Sequence, residues 1–181
     1  GIANTFLKAA GYPVGSSLVE DSCLELAQRL MQQAQEKGVV LPLPSDVCTA
    51  RSFSADSQPY YRTIDQVTED EMILDIGDAT MKQYAQLIQS SGTTIWNGPV
   101  GVFEFSAFSS GTRAIGEAIS ESECYSVAGG GDTLAALSQF SLGDKISYVS
   151  TGGGAFLHYM QEGVLPAVEV INKKEKSFHV K

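Results

Sequence analysis

Two glycine-rich segments carry the residues best suited to phosphate chemistry. The first is GGGDT at residues 129–133, and the second is TGGGA at residues 151–155. Glycines let the backbone approach a ligand closely because no Cβ intervenes. A helix that follows them offers unpaired N–H groups and the positive end of its dipole. The two segments could therefore form a shared nest of amides for a transferring phosphoryl group, or each could serve only close packing of a helix against a strand.

Two side chains in the first segment add chemistry to that of the backbone. Asp132 could hold a phosphate-bound Mg²⁺, because this hard cation prefers oxygen ligands and keeps several waters. The Thr133 hydroxyl could donate to a phosphate oxygen. The alternative for Asp132 is a helix N-cap that follows a flexible turn.

A third segment, WNGPVGVFE at residues 96–104, is too long and too apolar for a simple turn. Glu104 at its end could accept hydrogen bonds from ribose hydroxyls, or could sit in the first turn of the next helix, where the dipole favours it. Neither G-x-x-x-x-G-K-S/T nor G-x-G-x-x-G is present, and Leu134 excludes the dinucleotide pattern at the first glycine triplet. A Rossmann-type oxidoreductase domain is therefore disfavoured.

The elements that position these segments follow a repeated order after residue 70. Strands are predicted at 72–75, 93–96 and 125–128, each followed by a loop and a helix, and a further strand at 145–150 precedes TGGGA. Strands that alternate with helices predict an α/β fold: a doubly wound parallel sheet with helices on both faces, a Rossmann-like three-layer sandwich. The loops after its strands converge on one edge, where such sheets bind ligands.

The first part of the chain is less regular. Ser16 or Ser17 could cap a helix with a capping box to Glu20, and apolar residues at helical spacing continue from Cys23 until Gly38 stops the run. A buried strand is predicted at 39–41 and a second near 46–49. Residues 50–68 are polar and weakly patterned, which is typical of a surface excursion, either an irregular loop or a hairpin.

Composition limits the classes of function. The chain has 181 residues, enough for one domain, and its net charge of −9 argues against a nucleic acid or an anionic membrane as partner. Three widely spaced cysteines, with His158 and His179 standing alone, support neither a disulfide framework nor a zinc site. No long apolar run or signal peptide is found, so a cytoplasmic protein is expected.

Cations are scarce near the glycine-rich segments. No Lys or Arg occurs between Arg113 and Lys145 or between Lys145 and Lys173. Phosphoryl transfer rests on charge stabilisation, usually by Lys or Arg together with Mg²⁺. The chain therefore needs basic residues from elsewhere, and its start at Gly1, without an initiator Met, suggests a truncated protein.

Together these segments resemble the phosphoglycerate kinase family in the style of its bacterial members. GIANTFL (1–7), VGSSL (14–18), LDIG (74–77), WNGPVGVFE, GGGDT and STGGGA (150–155) follow in the family's order. The resemblance covers essentially all 181 residues. It identifies residues 1–181 as most of the family's C-terminal, nucleotide-binding domain, without the first strands of that domain and without the N-terminal domain.

The resemblance implies reversible phosphoryl transfer between MgATP and 3-phosphoglycerate in glycolysis, with ATP or ADP and Mg²⁺ as cofactors. By position, Gly1, Leu18 and Leu74 would line the adenosine pocket. Asn97, Gly98 and the loop through Phe103 would border it, with Glu104 on the ribose. Phosphates and Mg²⁺ would be bound by Gly130, Gly131, Asp132 and Thr133, with Asp132 as the metal ligand. Gly153 and Gly154 would act catalytically, through N–H groups that hold the transferring phosphoryl.

The same resemblance places several parts upstream of Gly1: a phosphate-binding lysine pair, the basic pocket for 3-phosphoglycerate and an arginine that faces the transferring group. The chain alone is therefore expected to be inactive, and the full enzyme to be a monomer. Missing strands would leave an unpaired sheet edge, which predicts low stability or self-association. A stand-alone nucleotide-binding module without catalysis is the alternative. His158 departs from the family, whose members usually carry Glu there.

Overall fold

The computed structural model describes residues 1–171, which form two compact units. The first unit comprises Gly1–Gly92 and Pro99–Cys124. The second unit comprises Thr93–Gly98 and the chain from Tyr125 onward. Each unit has its own sheet, and all the helices and strands named below belong to one or the other.

The first unit combines four helices with a three-stranded sheet. Its helices are α1 (Ile2–Ala9), α2 (Leu24–Glu36), α3 (Asp78–Gln89) and α4 (Ser110–Glu121), and its strands are β1 (Asp46–Ala50), β2 (Tyr60–Thr63) and β3 (Met72–Ile76).

The sheet of the first unit is antiparallel, in the order β2-β1-β3. Strand β1 pairs with β2, for example Thr49 opposite Tyr60, so the stretch 50–68 supplies only the second strand of this antiparallel pair and does not form a hairpin by itself. The strand near residue 72 was expected in a parallel sheet, but β3 runs antiparallel to β1, with Val47 opposite Ile76. The alternation of strands and helices holds only after β3, so it does not determine how β3 pairs with the strand before it.

Two buried clusters stabilise this unit. One contains Leu7 and Val47, both with no exposed surface, together with Ile64. The other groups Phe108, also fully buried, with Leu74 of β3. Both clusters combine side chains of the sheet with side chains of segments outside it, so burial of apolar area fixes those segments against the sheet.

A buried ion pair joins the sheet to the loop before β3. Glu71 has no exposed surface, and its carboxylate accepts hydrogen bonds from Arg62 Nη2 (2.8 Å), Arg62 Nε (3.2 Å) and Thr49 Oγ1 (3.0 Å). Burial raises the pKa of Glu71, but these bonds outweigh it, so the pKa lies below its ordinary value.

The predicted strand at 39–41 is wrong. Val39, Val40 and Leu41 are 58%, 72% and 41% exposed and form no strand. Pro42 and Pro44 break the run that follows, and β1 begins only at Asp46.

The predicted cap of α2 by Ser16 or Ser17 is also wrong. Helix α2 begins at Leu24 without a side-chain cap, and Ser17 Oγ instead accepts the Ile73 N–H (2.8 Å) at the start of β3.

The start of α3 is capped from another element. The Asp46 carboxylate of β1 accepts the N–H groups of Ala79 (2.9 Å) and Thr80 (2.7 Å), and the Thr80 hydroxyl (2.6 Å). Gly77, the residue before α3, packs against the Asp46 side chain: a Cβ at this position would lie 2.3 Å from the carboxyl carbon of Asp46. This close approach requires glycine at position 77.

The second unit is built on a parallel sheet. Strands β4 (Thr93–Asn97), β5 (Tyr125–Gly129) and β6 (Tyr148–Ser150) pair in that order, and α5 (Gly131–Gln139) and α6 (Gly154–Glu162) follow the last two. The α/β fold with a parallel sheet flanked by helices is thus confirmed.

The last strand is shorter than predicted. Lys145 ends a 3₁₀ turn (Gly143–Lys145), and β6 begins only at Tyr148. Within residues 1–171, no helix has both the length and the apolar character needed to cross a bilayer.

Candidate functional site

The start of α5 has no side-chain cap, and Gly131 and Asp132 in its first turn are exposed. Gly130 is its N-cap residue with φ of 98°, a left-handed conformation that favours glycine, and no side chain caps the helix. A Cβ on Gly131 would meet no other atom within 4 Å, so the space above the first turn is open. The geometry is that of a helix N-terminus that can accept an anion.

The start of α6 repeats this arrangement on the neighbouring strand. Gly153 is the N-cap residue with φ of 51°, again without a side-chain cap, and both Gly153 and Gly154 have open space around them. The register of the sheet places Gly129 beside Ser150, so β5 and β6 end at one edge. The two uncapped helix starts therefore follow adjacent parallel strands.

Asn97 and Gly98 brace the first of these helix starts from the end of β4. Asn97 Nδ2 donates to the Gly129 carbonyl (2.9 Å), and a Cβ on Gly130 would lie 3.1 Å from the same Nδ2. The Gly98 N–H donates to Thr133 Oγ1 (2.7 Å). Both residues thus hold the GGGDT loop in place by hydrogen bonds, in addition to any contact with a ligand.

Asp132 and Thr133 differ sharply in their surroundings. Asp132 is exposed in the first turn of α5. Thr133 is fully buried, and its hydroxyl accepts the Gly98 N–H, so its predicted bond to phosphate has no support in this geometry and stays a prediction. No group of three His, Cys, Asp or Glu side chains that could hold a metal occurs in residues 1–171.

The first unit holds the residues predicted to bind adenosine, and they border two pockets. An apolar pocket of about 430 Å³ between α1 and α2 is lined by Gly1 and Leu18, with Thr5, Phe6 and Ala27 among its other walls. A second pocket of about 250 Å³ is lined by Gly1 and Leu74 and by residues 99–102. Leu18 and Leu74 therefore face different cavities, and Gly1 lies beside both.

The end of the WNGPVGVFE segment is divided between core and surface. Phe103 is 3% exposed and belongs to the interior, so only its backbone could border a ligand. Glu104 is exposed and lines a shallow depression with Phe53 and Pro99. The first-turn alternative for Glu104 is wrong, because α4 begins only at Ser110.

Two buried polar residues beside the second pocket were missed by sequence reasoning. Asp75 is 2% exposed, and its carboxylate accepts the N–H groups of Gly111 (2.8 Å) and Ile76 (2.9 Å). Burial raises its pKa to about 6, against these hydrogen bonds. Thr112 is fully buried and accepts the N–H groups of Val100 and Gly101, each at 3.3 Å. The acidic residue at the end of an apolar strand was a visible signal, whereas nothing in the sequence marks Thr112.

Comparison with known proteins identifies the family. A match to the family described as phosphoglycerate kinase covers residues 1–163, which include every residue predicted for the site. This chain belongs to the phosphoglycerate kinase family. The predicted resemblance is therefore confirmed.

Individual relatives agree. The phosphoglycerate kinases of Coxiella burnetii (strain RSA 493 / Nine Mile phase I) and Legionella pneumophila (strain Paris) are 50% and 51% identical to this chain over 181 residues. The match covers 100% of this chain but only 46% and 45% of those proteins, so the chain spans just under half the length of these relatives.

Solved structures show the same correspondence. The phosphoglycerate kinase structure from Coxiella burnetii superposes with a TM-score of 0.92 at 51% identity, covering 98% of this chain and 45% of that one. The crystal structure of the enzyme from Pyrococcus horikoshii OT3 gives a TM-score of 0.78 at 25% identity, with 94% and 43% covered. The phosphoglycerate kinase fold of this region is thus retained at low identity.

Proposed function

We propose that residues 1–181 are a partial C-terminal domain that supplies the nucleotide-binding part of a phosphoglycerate kinase. The complete enzyme would transfer a phosphoryl group reversibly between MgATP and 3-phosphoglycerate, yielding MgADP and 1,3-bisphosphoglycerate in glycolysis. The observation that carries the proposal is the pair of uncapped helix starts, at Gly130 and Gly153, on adjacent parallel strands. Backbone N–H groups at helix N-termini suit phosphates.

The phosphate chain of the nucleotide is proposed to lie at the start of α5. Gly130 and Gly131 offer unobstructed backbone, and the exposed Asp132 carboxylate is free to reach a bound cation. A single protein carboxylate suits Mg²⁺, which commonly takes its other ligands from phosphates and water. When bound, Mg²⁺ would neutralise charge on the phosphates. Gly153 and Gly154 at the start of α6 would stabilise the transferring group by N–H donation.

The adenosine part is assigned to residues of the first unit. Leu74 and Gly1 line the smaller pocket, Leu18 lines the apolar pocket beside α2, and exposed Glu104 could accept ribose hydroxyls. Asn97 and Gly98, in the second unit, would border the nucleotide while they brace the α5 loop. Phe103 would contribute through its backbone, since its side chain is buried.

The catalytic cations and the second substrate site are proposed to come from parts of the protein beyond this chain. The 31 residues between Arg113 and Lys145, which contain GGGDT, include no basic residue. Charge on a transferring phosphoryl group needs Lys or Arg together with the metal. The chain alone is therefore expected to bind nucleotide weakly without turnover, and the complete protein to work in the cytoplasm as a monomer.

Calorimetric titration with ADP, with and without Mg²⁺, tests the nucleotide site. We expect Mg²⁺ to strengthen ADP binding, and Asp132→Ala to reduce that gain by roughly tenfold, about 1.4 kcal/mol. Asp144→Ala is the matched control, because Asp144 is also exposed in the second unit but lies in the 3₁₀ turn Gly143–Lys145. A folded chain that binds no ADP at millimolar concentration, or an Asp132→Ala variant with the full Mg²⁺ gain, would contradict the proposal.

A further inference from the structure

The segment Pro99–Val102 is held by two buried polar side chains of the first unit. Asp75, at the end of β3, accepts the Ile76 N–H through Oδ1 (2.9 Å) and the Gly111 N–H through Oδ2 (2.8 Å). Gly111 is the second residue of α4. The carboxylate therefore fixes the first turn of α4 to the end of β3.

Thr112, the residue after Gly111, connects the first turn of α4 to the segment Pro99–Val102. Thr112 Oγ1 accepts the N–H groups of Val100 and Gly101, each at 3.3 Å. The next N–H, that of Val102, donates to the Leu74 carbonyl (2.8 Å). Three consecutive backbone N–H groups are thus hydrogen-bonded to β3 and α4, and these bonds restrict the backbone conformation of the segment.

Asp75 also supports the segment by direct contact. A Cβ on Gly101 would lie 2.3 Å from Asp75 Oδ1, and a Cβ on Gly111 would lie 2.1 Å from the same atom. The backbone at both positions therefore packs against the carboxylate at a distance that only glycine permits.

The restrained segment is a wall of the 250 Å³ pocket that Gly1 and Leu74 also line. This volume is below the roughly 300–1,000 Å³ of pockets for whole small-molecule ligands, so it suits one moiety of a nucleotide. Resting on the proposed function, we propose that Asp75 and Thr112 are positioning residues that fix Pro99–Val102 and thereby set the affinity of this pocket for the adenosine moiety.

The physical reason is preorganisation. A wall that is already ordered costs no conformational entropy when the ligand binds, so more of the contact free energy appears as affinity. Without its acceptor, the Val100–Gly101 backbone would leave two N–H groups unpaired and would move toward water. The pocket would then have to be reformed on each binding event.

Titration of the 181-residue chain with adenosine, followed by NMR, tests this inference, and ADP serves as a second probe. We expect Thr112→Val to weaken adenosine binding by roughly tenfold and to speed hydrogen exchange of the Val100 and Gly101 amides, whose acceptor it removes. Thr112→Ser keeps the acceptor and should restore both. Asp75→Asn should resemble Thr112→Val. Asp46→Asn, which weakens the cap of α3 and does not touch the segment, is the matched control and should leave adenosine affinity unchanged.

Each outcome decides something. Equal adenosine affinity in the wild-type chain and Thr112→Val, or a wild-type chain that binds ADP but not adenosine, would overturn the positioning role while leaving nucleotide binding in place. A folded wild-type chain that binds neither probe removes the proposed function and this inference with it. Should Thr112→Val fail to fold, the wild-type shift map decides: adenosine must shift the amides of residues 100–102 and leave Ala79 unshifted.

Discussion

At the scale of single residues, buried carboxylates give the first unit opposite responses to pH. Asp75 is buried against backbone N–H groups, and burial raises its pKa to about 6. Glu71 is equally buried but faces a guanidinium, and its pKa is lowered. The difference follows from the partner, because a cation stabilises the ionised form more than neutral donors do.

Asp75 should make the stability of the first unit fall as pH rises from about 4 to 6. Its folded pKa is about 6 and its unfolded pKa about 3.9. The folded state therefore holds the proton more tightly, and this stabilisation is complete below pH 4 and lost as pH passes 6. The effect is on the order of 2–3 kcal/mol. Urea unfolding of the wild-type chain and Asp75→Asn across this range checks it, and parallel pH profiles would contradict it.

Arg62 should matter far more to stability than Arg51, although both guanidinium groups lie over the Tyr60 ring. Arg62→Ala would leave the fully buried Glu71 carboxylate without a cation, which costs about 3 kcal/mol. Arg51→Ala is the control, because it also removes a guanidinium from the Tyr60 ring but breaks an ion pair only with the exposed Asp70.

The measurement for this pair is chemical denaturation of both variants. Because the Glu71 pKa is lowered, the contribution of Arg62 should be present at neutral pH and be lost as the pH falls through the acidic range. An Arg62→Ala midpoint within error of that of Arg51→Ala would show that water reaches Glu71.

At the scale of elements, α3 depends on a cap supplied by β1. Asp46→Ala removes the acceptor of the Ala79 and Thr80 N–H groups and should destabilise the chain by about 1–2 kcal/mol. Hydrogen bonds from Thr80 and the backbone outweigh burial and lower the Asp46 pKa, so the loss should shrink as the solution becomes acidic. Denaturation at neutral and acidic pH measures it, with the exposed Asp78→Ala in the same first turn as control. An equal loss in both variants would refute the capping role.

Helices and strands were predicted well from the sequence wherever apolar residues kept the spacing of one helix or one strand throughout the segment. Strands β3 to β5 and helices α3 and α5 appear close to their expected positions, because alternating strand and helix runs are separated by clear glycine-rich loops. The strand predicted at 39–41 was wrong, since a short apolar run that contains β-branched valines resembles a buried strand whether or not the fold covers it.

The candidate site could be predicted only in part. Sites formed by backbone N–H groups can be recognised in a sequence by their glycines. The starts of α5 and α6 were therefore predicted correctly as glycine-led helix N-termini. Roles that depend on tertiary contact were invisible. The buried bond from Gly98 to Thr133, and the acceptor role of Thr112 toward Val100, join residues that lie 35 and 12 positions apart.

At the scale of the whole molecule, exposed apolar side chains are numerous. Ile2, Leu18 and Val40 are 80%, 77% and 72% exposed. Val39, Val40 and Leu41 are consecutive and all exposed, and a contiguous apolar surface promotes association. We expect the chain to form oligomers as its concentration rises, and Val40→Lys to reduce them by sedimentation velocity. Gln35→Lys, which adds the same charge at an exposed polar position of α2, is the control. A wild-type chain that remains monomeric at high micromolar concentration and unfolds cooperatively on heating would disprove the expected self-association.

The free cysteines of the first unit differ in accessibility, so their reaction rates can report its conformational opening. Cys48 lies in the centre of β1 at 2% exposure, with its pKa raised to about 12, so in the native state it is both shielded and protonated. Cys23 borders the apolar pocket beside α2 and is partly accessible. A thiol reagent should therefore modify Cys23 promptly and Cys48 only when β1 separates from its neighbours. The ratio of the two rates reports how often the first unit opens, without any label being engineered into it.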